Sequence, residues 1–274
     1  MRLFVATPTM HPEMVEKNLA FCLEAAEPGA RIDLLLFENG CRFGRAPSNP
    51  RGDVHVEHSE RNVGVPLALH ALYEKARALS GLEEFVIGYL HDDVKLYEPW
   101  AERVLAAFAR EDVVIAGPAA GLANGHAAVT RENTALLMHR GRLLWKSVPE
   151  YSRYGVEPCE YAREAAVVDG MALFVRGSFL DAIGGFRFWP VVHHGYDHAI
   201  CAMARRHGKR IAYVPILSAH FGRPTKKRVT FARDLDVETG FWRVNSATHR
   251  RALETLYDSF RDVLPYEVAG EPLA

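Results

Sequence analysis

Residues 85–93 read Phe85-Val86-Ile87-Gly88-Tyr89-Leu90-His91-Asp92-Asp93. An apolar run with no polar alternation suits a strand of an α/β sheet. The run then breaks onto an imidazole and two adjacent carboxylates. Adjacent carboxylates are costly to place together unless a cation neutralises them. Their hard oxygens suit Mg²⁺ or Mn²⁺, which in turn bind diphosphate oxygens. The same residues would also serve as a solvated turn capping the helix near Trp100.

Upstream, the chain repeats this pattern. Arg2 to Ala6 is a short apolar run closed by Thr7-Pro8-Thr9, and Val15, Leu19, Cys22 and Ala26 then recur at helical spacing. Ile32 to Phe37 is a solid apolar run, stopped by Glu38-Asn39-Gly40. Val54 to Val56 is a weaker strand leading through Asn62-Val63-Gly64 into a helix marked by Leu69, Leu72, Ala76 and Leu79. Downstream, Trp100, Val104 and Phe108 mark a helix and Val113 to Ala116 a strand. Strands alternating with helices predict an α/β fold, and polar residues gather just after the strands, where open α/β sheets bind ligands.

The second half is less regular. Residues from about Gly121 to Arg163 predict a long excursion with an irregular hairpin. Val167 to Val175 predicts a strand interrupted at Asp169-Gly170. Gly195 to His207 predicts a helix stopped by Gly208, and Ile211 to Val214 a last strand. Leu253, Leu256, Phe260 and Val263 predict a C-terminal amphipathic helix. The expected organisation is one α/β domain over residues 1–222, with a basic loop and helix over 223–274 packed on it.

Composition bounds the function. Lysine plus arginine (33) balances aspartate plus glutamate (34), so no global field points to nucleic acid. The start of the chain, broken early by Pro8, does not read as a signal peptide. No apolar run approaches the ~20 residues needed to span a bilayer. Cys22, Cys41, Cys159 and Cys201 contain no C-x-x-C pair, and a cytoplasmic location is expected. There is no P-loop, no G-x-G-x-x-G, no H-E-x-x-H and no G-x-S-x-G.

Three further clusters carry chemistry. Glu38, closing a buried strand, would accept hydrogen bonds from the ring N–H of a nucleobase, or simply begin an Asn-Gly turn. In His193-His194-Gly195-Tyr196-Asp197-His198, His194 and His198 stand four apart, and Asp197 near a helix N-terminus has its anionic form favoured. His220 follows the last strand and precedes Arg223, Lys226, Lys227 and Arg228. That basic run suits a metal–diphosphate site or a solvated loop, and allows a peripheral membrane contact.

The order of these features resembles glycosyltransferase family 2, inverting enzymes with the GT-A fold, over roughly residues 2 to 222. The resemblance rests on Pro8-Thr9, Glu38-Asn39-Gly40, Asn62-Val63-Gly64, His91-Asp92-Asp93 and the block from Val168 to Arg176 running into Ile183-Gly184-Gly185-Phe186. Asp197, Tyr213-Val214-Pro215 and His220 complete it. It implies a mixed, mostly parallel GT-A sheet flanked by helices, a nucleoside diphosphate-sugar donor of UDP, GDP or dTDP type, and a carbohydrate or other hydroxyl acceptor. A divalent cation (Mn²⁺ or Mg²⁺) would be held by Asp93 and His220, with Asp92 in support. Pro8, Thr9, Glu38, Asn39, Asn62 and Asp92 would bind the nucleotide, and Asp197 would be the catalytic base. Asp169, Gly170, Trp189 and Tyr196 would meet donor sugar or acceptor.

This chain departs from the family twice. His91 stands where the metal motif usually begins with aspartate, and Tyr196 stands where an acid usually precedes the base. Three rival readings accompany the transferase. One is a metal-dependent hydrolase built on His193, His194, Asp197, His198 and His220. The others are a nucleotidyltransferase and an inactive sugar-nucleotide binder.

Overall fold

The structure, a computed structural model, describes residues 1–97, 99–118, 122–123, 128–129, 132–139, 142–148, 162–191, 193–216, 218–220, 251–252, 254–264, 266–267 and 273. The first half builds β1 (Arg2–Thr9), α1 (Pro12–Ala25), β2 (Ile32–Asn39), β3 (Val54–Ser59), α2 (Val65–Ser80), β4 (Phe85–Leu90), β5 (Val94–Leu96), α3 (Ala101–Ala107) and β6 (Val113–Gly117). Short strands β7 (Leu122–Ala123) and β8 (Ala128–Val129) precede the hairpin of β9 (Glu132–His139) and β10 (Arg142–Val148). Then come β11 (Arg163–Glu164), β12 (Ala172–Arg176), α4 (Gly177–Ile183), α5 (Tyr196–Arg206), β13 (Arg210–Tyr213), β14 (Ser218–His220) and β15 (Tyr266–Glu267).

The main sheet runs β11-β13-β6-β12-β4-β1-β2-β3. The pairs β1–β2, β1–β4, β2–β3 and β6–β13 are parallel. β12 is inserted antiparallel between β4 and β6. The solid apolar runs have the reason anticipated for them: both faces of the sheet are covered. Ile32, Leu34 and Leu36 of β2 pack with Val15, Leu19 and Cys22 of α1 and Val104 of α3. Leu35 and Phe37 lie on the opposite face, in a core that includes Leu69 and Leu72 of α2 and, further along the sheet, Ile200 of α5. Each such side chain, fully buried, contributes about 1.5–3 kcal/mol.

The helix ends are legible locally. α1 opens with Pro12, whose missing N–H is no loss in a first turn. After α5, Gly208 takes φ +64° and Lys209 N–H bonds back to Ala204 O at 2.9 Å, a left-handed stop that favours glycine. Helical backbone at 251–252 and 254–259 matches the expected C-terminal helix. Ala252, Leu256, Phe260 and Leu264 enter the same core as α5.

Three expectations change. The strand expected over Val167–Val175 begins only at Ala172, because Asp169 turns the chain. Its Oδ1 accepts Met171 N–H at 2.9 Å and its carbonyl accepts Ala172 N–H. Helix α4 follows β12 directly, which the sequence reading did not anticipate. A second small sheet, β5-β14-β7-β8, also forms. Two-residue and three-residue strands are set by distant pairing and carry too few residues to show a period. The excursion contains a hairpin with a register shift between Lys146 and Ser147. The basic run at residues 223–228 lies outside the described residues.

Candidate active site

The parallel strands place their C-terminal ends side by side, with Thr9 of β1 opposite Glu38 of β2. The side chain of Thr9 is buried. Its Oγ1 donates to Asp92 Oδ2 at 2.6 Å and accepts His11 N–H at 2.8 Å. Asn18 of α1 donates to Asp92 O at 2.7 Å. Asp92 is thereby fixed from the β1–α1 side. Burial pushes its carboxyl above the usual range, the Thr9 bond opposes this, and neighbouring Asp93 adds to it.

Next to it lies the turn after β2. Glu38 is buried and both its oxygens are engaged by its own chain. Phe43 N–H donates to Oε1, while Oε2 lies 3.1 Å from His58 Nδ1 and 3.5 Å from Arg42 Nη1. Asn39 Oδ1 accepts Val63 N–H, and Asn62 Oδ1 accepts Gly64 N–H, both at 2.8 Å. Asn39 and Asn62 therefore shape the entry to α2. Asn62 also reaches Met10 Sδ at 3.1 Å, and Cys41 Sγ donates to Thr9 O at 3.3 Å. Burial, with Glu38 nearby, pushes the Cys41 thiol up to about 11. Pro8 lies in β1 opposite Phe37.

The other half of the site is the head of α5. Asp197 Oδ2 accepts Gly170 N–H at 3.1 Å, and Oδ1 accepts His198 N–H at 2.9 Å and meets His198 Nδ1 at 2.8 Å. Burial would raise Asp197, but the charge of His198 and these hydrogen bonds outweigh it and hold the carboxyl well below the usual range. For His198, burial works against the charged form and Asp197 overcomes it, so the imidazole is raised. The Tyr196 hydroxyl donates to Gly170 O at 3.1 Å and lies 2.9 Å from His91 Nε2. Burial, with His194 and His91 nearby, pushes His193 down to about 3.

β14 runs antiparallel to β5 with His220 opposite Val94, the residue after Asp93. Among the described residues, no three His, Cys, Asp or Glu side chains are grouped to hold a metal. The Nδ1 of His198 is turned onto Asp197. Trp189 is a correction: it is only 4% exposed, and its indole N–H donates to His194 O at 2.9 Å, so it presents no open stacking face.

Sequence reading missed Asn18, His11, Cys41, Arg42 and His58. The signal for His11 was its position two residues after Thr9 and directly before Pro12, at the cap of α1. The others reach the site from different elements and leave no local mark.

No family model and no curated protein matches this sequence. Solved structures do match it. A structure of GalNAc-T7 with UDP, GalNAc and Mn²⁺ superposes with a TM-score of 0.65 at 14% identity, covering 95% of this chain and 50% of that one. The fold is GT-A. A structure of S. aureus TarS 1–349 matches with a TM-score of 0.52 at 11% identity, covering 81% of this chain and 60% of that one. The same protein with UDP-GlcNAc matches at 0.52 and 10%, covering 88% and 62%. This GT-A chain thus spans between half and two thirds of the lengths of those structures.

Proposed function

We propose that this GT-A chain is a glycosyltransferase that moves a sugar from a nucleoside diphosphate-sugar to an acceptor hydroxyl, with inversion and with a divalent cation, as an enzyme of the family 2 type. One observation carries the reading. Two carboxylate groups of opposite character, Asp92-Asp93 after β4 and Asp197 at the head of α5, are joined by hydrogen bonds through His91, Tyr196 and Gly170. The GT-A neighbours that hold UDP, UDP-GlcNAc or Mn²⁺ support it.

The donor set suits a hard cation shared with substrate. Asp93 would supply carboxylate oxygen and His220, whose backbone pairs with the next residue, Val94, would supply an imidazole nitrogen; Mg²⁺-type sites commonly use one or two protein ligands plus phosphate oxygens. A bound divalent cation would supply charge neutralisation for the departing nucleoside diphosphate. Thr9, by holding Asp92, keeps the β4 turn in place, and the Glu38 turn lines the nucleotide side. Asp197 takes the acceptor proton. It is ionised whenever the protein is folded at neutral pH, and the hydroxyl becomes acidic enough for a weak base only as its oxygen bonds to the anomeric carbon from the face opposite the leaving group. Asp169 and Gly170 form the turn against which sugar would lie.

Residues 1–222 are proposed as the transferase domain, with 223–274 as its C-terminal extension. A cytoplasmic location is proposed as well: Cys22, Cys41 and Cys201 are free thiols, and among the described residues no helix is long and apolar enough to cross a membrane. The test is a melting-temperature screen with UDP, GDP and dTDP, each with and without Mn²⁺. A ligand at ~100 times its Kd stabilises by about 2.7 kcal/mol. The expected result is a shift with one nucleotide that needs the metal, and loss of the metal component in Asp93→Ala. No shift with any nucleotide would sink the reading.

A further inference from the structure

His91 and Tyr196 are separated by 105 positions in the chain, yet they touch: His91 Nε2 lies 2.9 Å from the Tyr196 hydroxyl. These are the two positions at which the sequence departs from the family it resembles. We propose that Tyr196 is a positioning residue that holds His91 as an Nε2–H donor and ties the β4 turn to the base Asp197. This rests on the transferase reading for its functional meaning, and on geometry alone for the link itself.

Counting protons sets the direction of each bond. Tyr196 has one hydroxyl hydrogen and two neighbours within reach. Gly170 O, at 3.1 Å, is a carbonyl and can only accept, so the hydroxyl hydrogen goes there. The lone pair of the same oxygen then receives a proton-bearing nitrogen, which makes His91 Nε2 the donor. The Gly170 N–H, on the other side of that residue, donates to Asp197 Oδ2. His91 N–H is itself bonded to Met171 O at 2.9 Å. Three separate segments, at residues 91, 169–171 and 196–197, are pinned through one hydroxyl.

A second observation is independent of these bonds. A Cβ built on Gly170 would lie 2.4 Å from the Tyr196 hydroxyl oxygen and 2.7 Å from Cζ. Glycine at 170 is what lets the phenol approach the backbone. Charge supplies the third. The Tyr196 hydroxyl feels Asp197, Asp169 and Asp93 together. A carboxylate at 91 or 196 would add a further negative charge to that group, whereas a phenol adds none and an imidazole cannot be an anion here. The His–Tyr pair joins the two halves of the site without adding to their repulsion.

The test reads the ring directly. Long-range ¹H–¹⁵N spectra of the ligand-free full chain, with His91 assigned by its loss in His91→Gln, should show Nε2 protonated. Tyr196→Phe should abolish that preference. Turnover, read as release of nucleoside diphosphate, should fall about 10–100-fold, the range for losing a partner that orients a site residue. Nucleoside diphosphate affinity should move less than turnover does. In a His91→Ala background, Tyr196→Phe should add little. Gly170→Ala, which keeps the phenol but displaces it, should give the same spectral change if Tyr196→Phe folds poorly. An unchanged His91 ring pattern in both Tyr196→Phe and Gly170→Ala, or fully additive effects in the cycle, would overturn the link. Absence of nucleotide binding by the wild-type chain would instead overturn the transferase reading and leave the spectra to decide the link.

Discussion

Asp92 and Asp197 are the same residue type, both with little exposure, in one site, and they are displaced in opposite directions. Asp92 has one hydroxyl donor and a carboxylate neighbour, so burial dominates and its proton is held more tightly. Asp197 has two N–H donors from the backbone and the imidazole of His198, so it gives its proton up early. Titratable groups pushed apart by their surroundings are how one site assigns different work to identical side chains. In the proposed transferase, the β4 turn would welcome an incoming positive charge. The head of α5 has its compensation built in.

The largest test of this contrast is Asp197→Asn. The amide cannot take the acceptor proton, so turnover should fall roughly 10²–10⁴-fold, while donor affinity stays near wild type. The change also sets an amide N–H₂ against groups that are donors, so the folded state should lose about 1–3 kcal/mol, visible in denaturant melts. Transfer at wild-type rate would move the base elsewhere. Loss of bound metal on the same preparation would favour the histidine-cluster hydrolase.

On the donor side, Glu38→Gln places a donor nitrogen among Arg42, His58 and Phe43 N–H. Losing a charged hydrogen bond costs about 1.5–3 kcal/mol, so nucleotide affinity should weaken by roughly 10–100-fold in calorimetry. An affinity unchanged from wild type for every nucleotide would remove Glu38 from the site.

The pair Asp197–His198 also predicts a pH profile of stability. Asp197, lowered, contributes stability that is complete above the ordinary carboxylate range and is lost as pH falls through its own lower value. His198, raised, contributes fully below the ordinary imidazole range and loses that contribution as pH rises through its own higher value. In His198→Gln, the fall on the alkaline side should flatten relative to wild type in melts taken across that window. An unaltered profile would mean that the imidazole carries no charge in the fold.

The smallest effect is expected at Asp92→Asn. Its carbonyl oxygen can still accept from Thr9, and a neutral side chain removes the cost of a buried charge beside Asp93. The ligand-free melting temperature should stay level or rise, opposite to Asp197→Asn. A clear drop would erase the contrast between the two halves.

Much of the sheet could be read in advance because buried parallel strands are apolar throughout. Ile32 to Phe37 and Phe85 to Leu90 declare themselves, and Gly208 marks the stop of α5. Asp92, Asp93 and Asp197 were legible as carboxylates at element ends. What stayed hidden depends on partners far along the chain. No local pattern shows that His58 and Arg42 occupy Glu38, that Trp189 turns inward to His194 O, or that Tyr196 reaches His91. The three-residue strands β5 and β14, which seat His220 beside Val94, are likewise products of pairing rather than of propensity.

One packing detail bears on how the molecule is made. Ala252, Leu256, Phe260 and Leu264 back the helix that carries Asp197, and Arg206 of that helix bonds Asp262. A nascent chain that has emerged only through His220 has both halves of the site in sequence but lacks this support behind α5. The backing of the helix that carries Asp197 therefore comes from residues synthesised well after it, whereas Thr9 and Glu38 rest on strands made before it.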